Sequence, residues 1–290
     1  MKILILGAGA VGLSVAAKLS AVADVHAVCR KKTADSIAVQ GFAITGIWGE
    51  GTYRFSASDT VEEDRRFDYA IVSSKSQDTE AVCRQFAPLI KNTETVSLQN
   101  GIGNEEIISR FTDRVIGGMI ITGFEWRGDA AVHVSVEAGP MKIGRFPEGL
   151  DEPVERLAEI FRQAGIRVET TDTIRSELWG KTLYNCALNP IGAVMGVPYG
   201  ELVHPAAWRI IEGIVREVFR VVAAEGVRLP WPDADAYLAY LRYTQIPATA
   251  AHHSSMLRIS PGAGRPRSGS STGPWWRKAG STGSIRPSTR

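Results

Sequence analysis

The sequence predicts a two-domain protein, an N-terminal α/β domain with a mainly parallel sheet followed by an all-α domain. Three observations predict it. A short apolar run, Met1–Leu6, opens directly into Gly7-Ala8-Gly9-Ala10-Val11-Gly12, and Leu13–Ser20 follows with helical apolar spacing; the order is strand, glycine turn, helix. Strand-like and helical stretches then alternate as far as Thr170, the pattern of parallel strands joined by crossover helices. Beyond Asp172 the spacing turns helical. A chain of 290 residues, 44% of them hydrophobic, is long enough and apolar enough for two packed cores. The expected boundaries are 1–170 for the first domain and 171–257 for the second, with 258–290 standing apart.

The glycine turn carries chemistry. Gly7 permits the tight turn, Gly9 lets backbone approach a pyrophosphate, and Gly12 allows the helix to pack closely on the strand, so Gly7, Ala8, Gly9, Ala10, Val11 and Gly12 are candidate cofactor contacts. This makes the domain Rossmann-type. A second strand is expected over Asp24–Cys29, and an NAD enzyme would place an acidic residue at its end. Arg30-Lys31-Lys32 stands there instead. A guanidinium grips a 2′-phosphate that a carboxylate would repel, so NADP is favoured, with Arg30 as the contact; a solvated basic turn is the alternative.

Further strands are expected at Ile37–Thr45, Asp68–Ser73 and Thr95–Leu98, with a helix over Glu80–Ile90. Two strand ends carry polar residues where ligands of such sheets bind, Ser73-Ser74-Lys75 and Gln99-Asn100-Gly101. Lys75 and Asn100 are the candidates; a surface lysine and ordinary Asn-Gly turn chemistry are the alternatives. From Val115 to Phe146 the sequence reads as strands, with His133 on a strand surface. A helix over Glu152–Ala164 and a strand over Arg167–Thr170 close the domain.

In the helical half, Lys181, Asn185 and Asn189 recur every fourth residue, which stacks an ammonium and two carboxamides on one helix face. A solvent face is the usual reason for such a stripe. Here Leu178, Trp179, Leu183, Cys186, Ala187 and Leu188 surround it, leaving little room for water, and a buried polar stripe calls for polar partners such as a small substrate. Helices are expected over Ala206–Ala224 and Ala234–Tyr243, where Trp208, Phe219 and Tyr237 read as core.

Together the GxGxxG turn, the strand-end Lys75, Leu98-Gln99-Asn100-Gly101, the K-x3-N-x3-N helix and His253-Ser254-Ser255-Met256-Leu257 resemble the ketopantoate reductase (2-dehydropantoate 2-reductase) family from Met1 to Leu257. The resemblance implies a second domain like the C-terminal domain of 6-phosphogluconate dehydrogenase. It also implies NADPH-dependent reduction of 2-dehydropantoate to pantoate, on the route to pantothenate and coenzyme A. Lys181 matches the proton donor, Asn185, Asn189 and Ser255 match substrate-binding residues, and Asn100 matches a residue touching both cofactor and substrate. Gly7 to Gly12, Arg30 and Lys75 fall on the nucleotide side. Tyr199 departs from the pattern, standing where some members have another substrate asparagine. Reduction of a different small 2-oxo acid, or NADP binding with impaired catalysis, are the competing readings.

Composition narrows the rest. The formal charge of +2 is carried by residues 258–290, which hold seven Lys or Arg and no acid; without them 26 basic face 31 acidic residues, a net −5. That body has no overall basic field for nucleic acid. Cys29, Cys83 and Cys186 lack metal-ligand spacing and are too few for a disulfide framework. With no cleavage site or membrane-length apolar run, a cytoplasmic enzyme of a small 2-oxo acid is expected; a homodimer is compatible with the sequence but nothing in it requires one.

Seventeen of the 33 residues after Leu257 are Gly, Ser or Pro, a composition that predicts disorder. A basic tail for polyanions is one reading. Another is a shifted reading frame. Trp275-Trp276 must be encoded TGGTGG, and the frame one base earlier reads GTG across the junction. In that frame Arg258-Ile259-Ser260 is compatible with Q-D-I, Arg267-Ser268 with E-I, and Thr272 to Lys278 with N-G-A-V-V-E-E. These match the continuation that the resemblance implies, whose remaining catalytic-site glutamate would fall at Arg267. A chain ending in the shifted frame is expected to be poorly stable and weakly active.

Overall fold

The computed structural model describes residues 1–257, so the expectations for residues 258–290 lie outside the described residues. Within them the chain forms two compact units that divide after Arg175.

The first unit begins with β1 (Lys2–Leu6), α1 (Ala10–Leu19), β2 (Asp24–Val28), α2 (Lys31–Gln40), β3 (Phe42–Gly46), β4 (Gly51–Tyr53), β5 (Ser56–Ser58) and β6 (Tyr69–Val72). Next come α3 (Thr79–Gln85), α4 (Ala87–Ile90), β7 (Glu94–Ser97), α5 (Asn104–Ile108), β8 (Val115–Met119), β9 (Thr122–Trp126), β10 (Ala131–Glu137), β11 (Met141–Arg145), α6 (Glu152–Gln163) and β12 (Val168–Thr170). Eight strands form the main sheet in the order β12-β11-β8-β7-β6-β1-β2-β5. Every neighbouring pair is parallel except β8 with β11. The mainly parallel sheet read from the sequence is therefore present.

Alternation along β1 explains why both faces are covered. Ile3 and Ile5 enter one apolar cluster with Leu13, Ala17 and Phe161, while Leu4 and Leu6 enter another with Cys83, Phe86 and Ile90. From β1 the chain adds β2 on one side and later β6 on the other. The carboxyl ends of β1 and β6 thus flank the point where strand order reverses, where open α/β sheets bind ligands.

Two local expectations need correction. Ile37–Thr45 is not one strand: α2 continues to Gln40, Gly41 breaks it at φ +78°, and only Phe42–Gly46 is extended. Thr33, Ala34 and Ile37 bury one helical face while Val39 is 80% exposed, a helical period hidden in a β-branched run. The helix expected over Glu80–Ile90 is broken at Phe86 into α3 and α4, with Pro88 in the first turn of α4. The segment from β3 to β10 also builds a second sheet, in the order β4-β3-β10-β9. Its pairing of β3 with β10 joins strands some 90 residues apart, which no local pattern reveals.

The second unit is helical. It contains most of α7 (Ile174–Met195), a 3-10 turn at Tyr199–Val203, α8 (Pro205–Ala224) and α9 (Ala234–Tyr240). A π-helical turn, Leu241–Gln245, and a short 3-10 turn, Ser255–Leu257, follow. His204 Nδ1 accepts the Ala206 N–H at the start of α8, and Asp233 Oδ1 accepts the Ala236 N–H at 2.8 Å at the start of α9, which satisfies amides that lack helical partners. Trp208 and Tyr237 are buried, and the Tyr237 ring packs edge-on against Trp231 at 4.6 Å. Among the described residues no helix is long and apolar enough to cross a membrane.

Candidate active site

At the end of β1, Gly7 adopts φ +68°, and a side chain there would run into the Ser74 Cβ. A Cβ on Gly12 would strike Ser73 Oγ and approach the Ile5 side chain at 3.1 Å. Gly7 and Gly12 therefore let the turn and α1 close on the ends of β1 and β6. Gly9 differs: nothing lies within 4 Å of a Cβ built on it. As the N-cap of α1 it offers no side-chain hydrogen bond, and the first turn carries no acid. Among the described residues nothing bonds the N–H groups of Ala10, Val11 and Gly12 in that first turn, so they can meet an anion, reinforced by the helix dipole. These residues fit a dinucleotide pyrophosphate.

Arg30 is exposed at the N-cap of α2, whose first residues are Lys31 and Lys32. Lys31 pairs with Asp35 at 3.3 Å and Lys32 with Asp129 at 2.9 Å, while Arg30 has no ion-pair partner among the described residues. Three cations at the positive end of a helix are mutually unfavourable by roughly 0.3–1 kcal/mol each against the dipole. A bound phosphate would reverse that sign.

The loops after β6 and β7 are tied by a polar network. Buried Gln99 donates through Nε2 to the Ser74 carbonyl (3.0 Å) and to Thr79 Oγ1 (2.8 Å). Thr79 Oγ1 donates to Asn104 Oδ1 (3.0 Å), and Asn104 Nδ2 donates to the Asn100 carbonyl (3.2 Å), which also accepts from Ser76 Oγ. Lys75 and Asn100 are thereby held at exposed positions on fixed backbone. Thr79 and Asn104 escaped the sequence reading, and so did the tie that Gln99 makes with Thr79, because these partners lie 20 to 25 residues apart. Next to Asn104 in α5 stands Glu105, 1% exposed, whose carboxyl burial raises to about 7, the Ser97 side chain opposing the rise.

In the helical unit, α7 carries Lys181, Asn185 and Asn189 on successive turns. Burial pulls the half-buried Lys181 ammonium down to about 8, so it is charged at neutral pH yet close to giving up its proton. Asn189 Nδ2 donates to Asn185 Oδ1 at 3.3 Å. The Asn189 carbonyl accepts from Ser254 Oγ at 2.8 Å, and Tyr199 donates its hydroxyl to Asn189 Oδ1. The serine packed on this asparagine face is thus Ser254, 1% exposed, whereas Ser255 is exposed in the following turn. The contact between residues 65 apart in sequence had no sequence signal beyond the Ser-Ser pair itself.

Other chemistries find little support. His133 lies on β10 with Nδ1 3.0 Å from Thr45 Oγ1, away from both strand-end loops in the second sheet. Burial raises Cys29 and Cys83 to about 11 and Cys186 to about 12, so none offers a thiolate near neutrality. Among the described residues no cluster of His, Cys, Asp or Glu could hold a metal ion.

Residues 3–148 match the family model described as ketopantoate reductase PanE/ApbA, and residues 173–259 match that of the ketopantoate reductase PanE/ApbA C terminal. A 2-dehydropantoate 2-reductase of Aquifex aeolicus is 33% identical over 266 residues, covering 89% of this chain and 84% of the relative. One from Pyrococcus horikoshii is 31% identical over 269 residues with the same coverage. The crystal structure of a PanE/ApbA family ketopantoate reductase from Ralstonia eutropha superposes with a TM-score of 0.77 at 28% identity, covering 89% of this chain and 84% of that one. The strand, glycine turn and helix of the first unit, the polar face of α7 in the second, and both family matches agree: the chain belongs to the ketopantoate reductase family.

Proposed function

We propose that this enzyme reduces 2-dehydropantoate to pantoate with NADPH, in the synthesis of pantothenate and coenzyme A. The observation that carries the reading is the face of α7, where a partly desolvated Lys181 stands in line with two carboxamides. Family members are nicotinamide-dependent oxidoreductases; the preference for NADPH rests on Arg30, which has no ion-pair partner among the described residues, and on the lysines beside it. When bound, the dinucleotide supplies a hydride from its nicotinamide C4 to C2 of the 2-oxo acid.

The chain's own residues do the remainder. Gly7 to Gly12 and the first turn of α1 would hold the pyrophosphate, Arg30 would contact the 2′-phosphate, and Lys75 would lie on the nucleotide side. Lys181 donates from Nζ to the 2-oxo oxygen as C2 becomes tetrahedral, leaving an alcohol and a neutral amine that solvent reprotonates. An ammonium near 8 suits that task, since the acid form dominates at neutral pH and its proton leaves readily. Asn185 and Asn189 bind the substrate from α7, with Ser255 and Asn100 as further contacts. Initial rates of NADPH oxidation on a panel of small 2-oxo acids test the assignment. The expected outcome is the highest kcat/KM for 2-dehydropantoate; a place among the poorest substrates would refute it.

We also propose that the reading frame changes near residue 258. The second family match stops at residue 259, and the relatives above align with 89% of the chain, which supports the frame argument. Resequencing around codon 258 is expected to reveal one missing base. Peptides of residues 258–290 recovered from the native protein would exclude a sequencing error.

A further inference from the structure

We propose that Tyr199 is a positioning residue for the substrate: its buried hydroxyl fixes which way the carboxamides of Asn189 and Asn185 point. The inference rests on the reading that those two asparagines bind the 2-oxo acid.

Tyr199 is 1% exposed, and its ring packs edge-on to Tyr184 at 6.0 Å and against His252 at 5.3 Å. Its backbone N–H donates to the His252 carbonyl at 2.9 Å, and Gly200 N–H donates to the Ala250 carbonyl at 2.9 Å. The 3-10 turn that carries the ring is thus anchored at both residues. Gly192, one turn beyond Asn189 on α7, makes room for it: a Cβ there would come within 3.2 Å of Tyr199 Cε1. The ring therefore lies against the helix, and its hydroxyl reaches Asn189 Oδ1.

The consequence is a directed chain of hydrogen bonds. Burial pushes the Tyr199 phenol well above its ordinary range, so it remains a donor throughout the working pH. With Asn189 Oδ1 occupied as an acceptor, its Nδ2 faces Asn185 and donates to Asn185 Oδ1 at 3.3 Å. That leaves Asn185 Nδ2, which donates to no other group among the described residues, as the donor available to a ligand. A 2-oxo acid presents a carboxylate and a ketone, both acceptors. The reverse orientation would present Asn185 Oδ1 and repel them. An asparagine at position 199 has no such fixed polarity, because its amide can turn either way.

The test is Tyr199→Phe in the full chain, which keeps the ring against Gly192 and removes only the hydroxyl. NADPH oxidation with 2-dehydropantoate is expected to show KM for the oxo acid raised about fivefold or more, kcat lowered by less than that factor, and KM for NADPH within about twofold of wild type. A merely structural role would not separate the two substrates. Asn189→Ala is expected to raise the same KM, and adding Tyr199→Phe to it to cause little further change, since the tyrosine acts through that asparagine. An unchanged oxo-acid KM in Tyr199→Phe, or fully additive effects in the double variant, would overturn the inference while leaving the functional reading intact. Absence of turnover by the wild type would remove that reading, and this inference with it.

Discussion

In the proposed function a single side chain, Arg30, selects the cofactor. It follows β2, whose carboxyl end pairs beside that of β1, stands at the N-cap position of α2, and has no ion-pair partner among the described residues while its two lysine neighbours each hold an acid. Arg30→Ala is expected to weaken NADPH by about tenfold to a hundredfold, the value of a charge-assisted hydrogen-bond pair, and NADH by less than about twofold. Titration with both dinucleotides checks this, and equal losses would refute the 2′-phosphate contact. Lys181, Asn185 and Asn189 were visible in the sequence because helical spacing alone aligns residues four apart. The contacts of Tyr199 and Ser254 with Asn189 were not, because they close loops of 10 and 65 residues. Ser254 and Ser255 are indistinguishable by type in the sequence, and only burial separates them.

Among elements, those governed by a local rule were legible. β1, α1, α6 and α8 carry their own periodicity and turn or cap signals. α2 was misread because Ile37-Ala38-Val39 looks β-branched, and α5 was missed because five residues are too few for a period. α5 nevertheless buries Glu105, whose folded carboxyl lies near 7 against an ordinary 4.5. Because the folded value is raised, this group favours folding fully below about 4.5, and that contribution is lost as pH rises through 7. Glu105→Gln is therefore expected to raise stability at pH 8.5 by on the order of 2–3 kcal/mol, and to change little at pH 4.5. Denaturant midpoints at both pH values test it; the same shift at both would show that ionisation of Glu105 is not the cause.

At the scale of the whole molecule, the fold class followed from a change of period. Alternation of strand and helix ends near Thr170 and helical spacing takes over, and the chain divides into its two units after Arg175. The second sheet lay beyond such reasoning, since it depends on pairing β3 with β10 across the intervening main-sheet strands. Each unit supplies a different half of the proposed chemistry. Dinucleotide binding belongs to the first and proton donation to the second, so removing the donor should leave cofactor binding untouched. The most direct test is Lys181→Ala, with kcat/KM for 2-dehydropantoate and the dissociation constant for NADPH measured side by side with wild type. The expected result is a loss of about 10²- to 10⁴-fold in kcat/KM, the usual contribution of a positioned general acid, with NADPH affinity within about twofold. Turnover that survives the substitution would contradict the assignment of Lys181 as the acid.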